Sequence, residues 1–160
     1  MKKNLIYFCS VLLALHSSAA LAYTHDGVEM EPLFFGQIII NSTAAVHSCT
    51  IPAGGTMTCD SMTALTILNP GQYGVFRLSS FDPTVAIWAS VSDTTLSAPD
   101  GSTFDVTDFT FAPHIIDIGT EEVPPGGILT LEIGATIKTR IGTTYDIAPY
   151  RGTYDLQINY

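Results

Sequence analysis

Short segments rich in β-branched and aromatic residues, each closed by glycine, proline or asparagine, follow one another from residue 34 onward. An apolar residue at every second position is typical of a β-strand with one buried face. After residue 22, no segment has the three-to-four-residue apolar spacing of an amphipathic helix. Strands of this length, with turns at this spacing, predict an all-β fold, an antiparallel β-sandwich or barrel.

The last segment, residues 152–160, is the most regular of these candidate strands. Its small or apolar residues stand at alternate positions, namely Gly152, Tyr154, Leu156, Ile158 and Tyr160. The polar residues between them predict one dry face and one wet face. Most domains leave a few loose residues at a terminus, so a regular terminal strand is a candidate edge for β-strand addition.

Two further segments carry details of the predicted sheet. Residues 128–139 form the longest strand candidate. Residues 104–111 are rich in β-forming side chains, but the parity of their alternation changes at Asp108 and Phe109. A change of parity within one strand predicts a β-bulge.

The N-terminus has the three parts of a secretory signal. Lys2 and Lys3 precede an apolar stretch from residue 5 to about residue 15, and Ala20-Leu21-Ala22 fits the A-x-A cleavage rule. The apolar stretch is short for a membrane-spanning helix, and no stop-transfer pattern follows. We therefore expect residues 1–22 to be a cleaved signal, with no membrane span afterwards. The exported chain would be in the periplasm, on the outer surface or in the extracellular medium.

The exported chain would contain 138 residues, which suits one domain. The predicted strands all lie within residues 34–160, without an internal repeat. Residues 23–33 form a polar leader in which Val28 and Met30 are apolar positions of one parity. This leader is a candidate donor strand, with Glu29 and Glu31 expected to point outward.

Signal cleavage would also change the charge. Four basic side chains would remain against 15 acidic ones, a net charge of −11. Such a chain repels phosphate backbones and anionic membrane surfaces, so nucleic acid is not an expected partner. The acidity also has a simpler interpretation, since net charge keeps exported proteins soluble.

Export would leave two cysteines, Cys49 and Cys59, on either side of a Pro-Ala-Gly-Gly turn. An oxidising compartment favours their pairing, and two strands that fold back over the turn would bring them together. The alternatives are a redox pair or a metal pair. Nine intervening residues match neither the C-x-x-C redox motif nor a complete zinc site. We therefore predict a structural disulfide.

Candidate catalytic residues are few. No G-x-S-x-G nucleophile elbow occurs, although His47, His114 and Asp117 would be the residues to test in a secreted hydrolase. A histidine near an acid in an acidic β-protein is more often a solvated loop residue. We expect no enzymatic activity and no cofactor.

Three carboxylates, those of Asp100, Asp105 and Asp108, raise the question of calcium, which prefers oxygen ligands. Their spacing is not that of an EF-hand loop, and a turn at Asp100-Gly101 explains the local residues without a metal. We expect no metal site here.

Five motifs in chain order span nearly all of the exported sequence. They are Phe35-Gly36-x-Ile38, Phe76-x-Leu78, Phe109 with Pro113, Gly127 followed by Leu129-x-Leu131-x-x-Gly134-Ala135-Thr136, and Gly152-Thr153-Tyr154 with Tyr160. Together they resemble a bacterial secreted family catalogued as domain of unknown function 4402. That family is similar to spore-coat U-type and chaperone–usher pilin domains, which are immunoglobulin-like sandwiches lacking one strand. The resemblance implies a pilin-like sandwich, complete or lacking one strand, and supplies no catalytic residue.

These observations predict a non-enzymatic structural or adhesion domain of the bacterial envelope, similar to a fimbrial subunit. It would assemble by β-strand addition, in which an open sheet edge accepts an extended segment. Its partners would be other envelope or pilin-like subunits and a periplasmic chaperone. The alternative is a self-contained module that binds carbohydrate or an envelope protein through loops such as 98–103 or 119–127. A secreted hydrolase is the remote alternative.

Overall fold

The computed structural model describes residues 4–8, 12–13, 26–79, 88–112 and 129–159. All regular secondary structure within these ranges is β-strand. The strands are β1 (Asn4–Phe8), β2 (Leu12–Leu13), β3 (Asp26–Glu31), β4 (Gln37–Ile40), β5 (Ser48–Ile51), β6 (Thr58–Cys59), β7 (Leu65–Asn69), β8 (Gly74–Ser79), β9 (Trp88–Val91), β10 (Thr94–Ser97), β11 (Thr103–Ala112), β12 (Leu129–Lys138), β13 (Pro149–Tyr150), β14 (Thr153–Tyr154) and β15 (Leu156–Asn159). The described ranges contain no helix that would cross a membrane. The predicted all-β class is confirmed.

The larger sheet is built around β12, which is ten residues long. Along one edge β12 pairs antiparallel with β11, and β10 lies beyond β11. Along the other edge it pairs first with β8, from Leu129 to Ile133, and then with β5, from Ala135 to Lys138. β3 lies beyond β8, and β6 lies beyond β5. A single long strand therefore joins both halves of this sheet.

Gly134 lies where β12 changes partner from β8 to β5. A Cβ atom at this position would be 2.2 Å from the carbonyl oxygen of Ile51 and 2.4 Å from the backbone nitrogen of Ala53. Both atoms belong to the backbone, which cannot move aside as a flexible side chain can. Glycine permits the close approach of the two chains at this junction.

The predicted bulge in β11 is confirmed. The register between β11 and β12 shifts between Thr107 and Thr110. Asp108, within the shift, has a φ of 52°, which lies in the left-handed region that aspartate tolerates better than most residues. Its carboxylate accepts hydrogen bonds from Lys138 Nζ and Thr107 Oγ1, each at 2.8 Å. These side-chain hydrogen bonds stabilise the left-handed backbone conformation of Asp108, which the backbone hydrogen bonds between β11 and β12 would not stabilise alone.

The smaller sheet has the strand order β13-β1-β4-β7. β4 pairs antiparallel with β7 on one side and with β1 on the other, and β1 pairs parallel with β13. The last two strands of the chain form two short, separate ladders: β14 pairs with β2, and β15 pairs with β9.

Residues of both sheets form one hydrophobic core, which gives the fold its sandwich-like form. The largest fully buried side chains are Tyr145, Tyr150, Phe35, Phe76, Phe104, Ile38, Ile51, Leu78, Leu131 and Ile133. The Phe104 ring stacks on Tyr145 with a centroid distance of 4.3 Å and meets Tyr150 edge-on at 4.9 Å. The Tyr145 hydroxyl accepts a hydrogen bond from Arg140 N at 2.8 Å and donates one to Thr103 O at 3.1 Å, which ties the loop after β12 to β11.

The predicted disulfide between Cys49 and Cys59 is confirmed. The two residues face each other in the antiparallel register of β5 and β6. Because Cys49 is fully buried, the bond ties the edge strand β6 directly to the core.

Candidate strand-addition site

The C-terminal segment, residues 149–159, pairs on one side with strands of the domain. Ser97 N donates to Arg151 O at 2.8 Å, and Arg151 N donates to Ser97 O at 2.9 Å. Thr94 Oγ1 donates to Thr153 O at 2.8 Å. Further along, β15 pairs antiparallel with β9, with Leu156 opposite Val91.

On its other side, the C-terminal segment pairs with the predicted signal segment, residues 1–22. The register places Phe8 of β1 opposite Tyr150 of β13, and Leu13 of β2 opposite Tyr154 of β14. Both ladders are parallel. The in-chain partners of this edge are therefore residues that signal cleavage would remove.

β1 also pairs with β4, and this ladder is antiparallel. Its register runs from Asn4 opposite Ile40 to Tyr7 opposite Gln37. β1 therefore occupies the space of one strand between β4 and β13, a gap of two interstrand spacings or roughly 10 Å. We call this space, bounded by the edges of β4 and of β13 and β14, the β4–β13 slot.

The β4–β13 slot lies over the apolar core. Ile38 and Ile40 of β4 are buried, and so are Tyr150 and Tyr154 on the C-terminal side. Beneath β4, a small cavity is lined by Ile38, Ile40, His47, Leu65, Phe104, Ile137 and Thr139. A segment in the slot therefore covers an apolar floor as well as two rows of backbone hydrogen-bonding groups.

The terminal-strand residues singled out by sequence are placed as follows. Tyr154 and Leu156 are buried, whereas Ile158 is half-buried. Tyr154 packs on Phe76 and Phe109, with centroid distances of 6.2 and 5.7 Å. Tyr160 lies outside the described residues.

At Gly152 the backbone of the C-terminal segment lies in close contact with β10. A Cβ atom at this position would lie 2.3 Å from Thr95 O and 2.9 Å from Leu96 Cδ2. The absence of a side chain lets the C-terminal segment approach β10 closely enough for the Ser97–Arg151 hydrogen bonds.

The polar leader forms a strand in its own chain, because residues 26–31 pair with β8. Val28 and Met30 face solvent, with 54% and 55% of their surface exposed. Glu29 is half-buried, so its orientation is opposite to the one expected for a donor strand, whereas Glu31 is exposed as expected. A shift of register between these two glutamates accounts for the difference.

Glu29 and Tyr154 form a buried polar pair that sequence reasoning missed. Glu29 Oε1 and the Tyr154 hydroxyl are both buried, and neither has a hydrogen-bond partner among the described residues. Burial raises the pKa of the Glu29 carboxyl. Burial also raises the pKa of the Tyr154 phenol, and the Glu29 carboxylate raises it further. The Glu29 carboxyl of the leader strand and the Tyr154 phenol of the C-terminal segment therefore disfavour each other's ionised form.

His47, Ser48 and Asp60 lie close together but lack the geometry of a catalytic triad. Asp60 Oδ2 accepts hydrogen bonds from Ser48 N at 2.9 Å and Ser48 Oγ at 3.1 Å, and His47 Nδ1 lies 3.7 Å from Asp60 Oδ1. In a triad the serine hydroxyl donates to the histidine, whereas here it donates to the carboxylate. His114 and Asp117 lie outside the described residues.

The three carboxylates considered for calcium have separate partners. Asp105 pairs with Arg140, and Asp108 pairs with Lys138. Asp100 Oδ1 accepts hydrogen bonds from Ser102 N and Ser102 Oγ, which is an Asx-type turn. Within the described ranges, no group of three or more His, Cys, Asp or Glu side chains is placed to hold a metal ion.

Sequence reasoning also missed the role of β4 and β13 as the two walls of the slot. The alternation of Ile38 and Ile40 signals one buried face, but no sequence pattern states that the edge of a strand is open. For Glu29, the only available signal was a carboxylate between the apolar residues Val28 and Met30.

The comparisons with known proteins give one match, to a protein family. The sequence profile of the family described as "Domain of unknown function (DUF4402)" matches residues 26–160. No curated protein and no solved structure matches the chain.

Proposed function

We propose, given that the chain belongs to the family of the domain of unknown function (DUF4402), that it is an exported, non-enzymatic domain of the bacterial envelope. It serves as a structural or adhesion subunit, similar to a fimbrial subunit, and assembles by β-strand addition. Its partners are other envelope or pilin-like subunits, with a periplasmic chaperone as a transient partner.

One observation carries this proposal: the residues that fill the β4–β13 slot belong to the predicted signal segment. Removal of residues 1–22 would leave the edges of β4 and β13 without these partners. Open edges are templates for pairing with another chain. An exported chain with such a slot is suited to accept a strand from a neighbour.

The experiment expresses the full chain with its own N-terminus in a bacterial host and isolates the product from the periplasm. Intact mass gives the N-terminal residue, and size-exclusion chromatography with light scattering gives the oligomeric state. We expect a chain that begins at Tyr23 and forms oligomers or a complex with a chaperone. A second chain lacking residues 23–33 tests whether Val28 and Met30 contribute a donor strand. A cleaved, stable monomer in both cases would contradict assembly by strand addition.

A second candidate is a self-contained binding module, for carbohydrate or for an envelope protein. It is favoured by the pairing of β1 with both β4 and β13, which completes the smaller sheet within one chain. This candidate predicts a monomer that folds alone and binds its ligand through loops such as 98–103. Size-exclusion chromatography separates the two candidates, because a stable monomer supports the binding module, whereas oligomers or a chaperone complex support strand addition.

A further inference from the structure

We propose that, after signal cleavage, the β4–β13 slot binds an uncharged extended segment of a neighbouring subunit, antiparallel to β4 and parallel to β13, with apolar residues opposite Ile38 and Tyr150. This inference rests on the proposed function and adds the position, polarity and chemistry of the donated strand.

The polarity follows from the two ladders that β1 makes. β1 is antiparallel to β4 and parallel to β13. The directions of these two walls therefore allow one extended segment to pair with both at once. The parallel ladder continues at β14, where Thr153 is opposite Leu12. A donor in this polarity satisfies backbone groups along both walls.

The chemistry follows from the register. Ile6 lies opposite Ile38, and Phe8 lies opposite Tyr150. Directly opposed residues of adjacent strands share one face of the sheet. Because Ile38 and Tyr150 are buried, a donor needs apolar side chains at these two positions to avoid placing polar groups over the core.

The absence of charge in the segment is the third argument. The ten residues from Asn4 to Leu13 include no Asp, Glu, Lys or Arg. β3, by contrast, has three carboxylates in six residues and is already paired with β8. A β3 strand exchanged from a second copy would first have to leave its ladder with β8, which disfavours it as the donor.

The test uses the full chain with Cys9→Ser and a protease site inserted between Ala22 and Tyr23. After folding and cleavage, the leader fragment is exchanged for a synthetic peptide of residues 4–13 that carries Cys9→Ser and one new cysteine. The peptide cysteine is Tyr7→Cys or Leu5→Cys. The domain cysteine is Gln37→Cys or Ile39→Cys, both on half-buried positions of β4.

Two of the four combinations match the register, Tyr7 with Gln37 and Leu5 with Ile39. In the swapped combinations the cysteines are displaced by two residues, about 7 Å along the strand. A disulfide spans Cα separations only up to about 7 Å, so we expect the matched pairs to cross-link at least about tenfold faster than the swapped pairs. Preference for the swapped pairs, or equal rates in all four, would overturn the proposed polarity.

Two controls address binding elsewhere. A domain with Val28→Cys places an exposed thiol on β3, away from the slot, and should cross-link no faster than the swapped pairs. A peptide with the order of its residues scrambled keeps the composition but loses the alternation. Cross-linking of either control at the matched rate means adventitious hydrophobic binding and overturns the proposal.

The outcome is separable from that of the proposed function. If the periplasmic protein forms oligomers but the matched pairs do not cross-link, the slot assignment is wrong and assembly by another edge stands. If the exported chain keeps residues 1–22, the proposed function fails whatever the peptide does.

Discussion

At the scale of single residues, close backbone contacts and one buried polar pair decide what the C-terminal segment tolerates. Gly152 lies against the Thr95 carbonyl, and Tyr154 shares a buried environment with Glu29. Neither constraint is visible in the sequence, where Gly152 fits a simple alternation and Glu29 looks like a solvent-facing residue of a polar strand. Both depend on neighbours that are distant in sequence, which a period-two pattern does not identify.

Gly152→Ala should destabilise the folded domain. A Cβ would lie 2.3 Å from Thr95 O, a backbone atom, so the two strands would have to separate. Overpacking of this kind typically costs about 1–3 kcal/mol. Urea denaturation of the variant measures the loss of free energy of unfolding. Gln157→Ala, at an exposed position of β15, is the matched control and should change it little. A Gly152→Ala variant as stable as Gln157→Ala would contradict the contact.

Glu29→Gln should make the domain more stable at neutral pH. Burial raises the pKa of the Glu29 carboxyl above its ordinary value of 4.5, so the folded protein holds the proton more tightly than the unfolded chain. The stability from this group is therefore fully present below pH 4.5 and is lost as the pH rises through the folded pKa.

The measurement compares thermal unfolding midpoints of the natural chain and of Glu29→Gln between pH 4 and pH 8. The advantage of the variant should grow as the pH rises. Glu31→Gln, at an exposed position two residues further along β3, should show no such trend. A constant difference across the pH range would mean that Glu29 is not desolvated in the fold.

At the scale of elements, alternation and turns predicted the strands whose faces differ in polarity, but not their partners. The bulge in β11 was predictable because it shifts the parity of the sequence itself. The leader was predicted as a strand donated to another chain, and its pairing with β8 was not predicted, because Val28 and Met30 face solvent while Glu29 turns inward. Residues 152–160 looked like one strand, yet β14 and β15 are separate because β2 pairs with the first and β9 with the second.

Removal of the disulfide should weaken the link between β5 and β6. The double variant Cys49→Ala with Cys59→Ala releases a short loop, which costs about 2–3 kcal/mol in the loop-entropy description. Urea denaturation measures the change. The natural chain treated with a reductant should unfold at nearly the same urea concentration as the variant. If the oxidised natural chain also unfolds there, the bond contributes nothing to stability.

At the scale of the whole molecule, the charge opposes association of identical copies. The exported chain would carry a net charge of −11, and copies that meet to exchange a strand repel one another. The all-β class followed from composition and alternation, whereas the slot did not, because a segment interpreted as a signal was not considered as a strand.

Salt should therefore accelerate assembly of the exported protein. Raising NaCl from about 0.02 M to 0.2 M shortens the Debye length about threefold and screens the repulsion between copies. Light scattering over time should show faster growth at the higher salt concentration. Sucrose at matched osmolality serves as the control for general solute effects. Assembly that slows with salt would indicate that attraction between opposite charges drives the contact.

The position of β12 in the sequence has a consequence for the order in which the fold can form. Synthesis proceeds from the N-terminus, and β5, β8 and β11 are all made before the strand that joins them, which begins at residue 129 of 160. Until then each of them has an edge whose final partner does not yet exist. β5, β8 and β11 therefore emerge before their common partner, and the larger sheet closes only after residues 129–138 have been made.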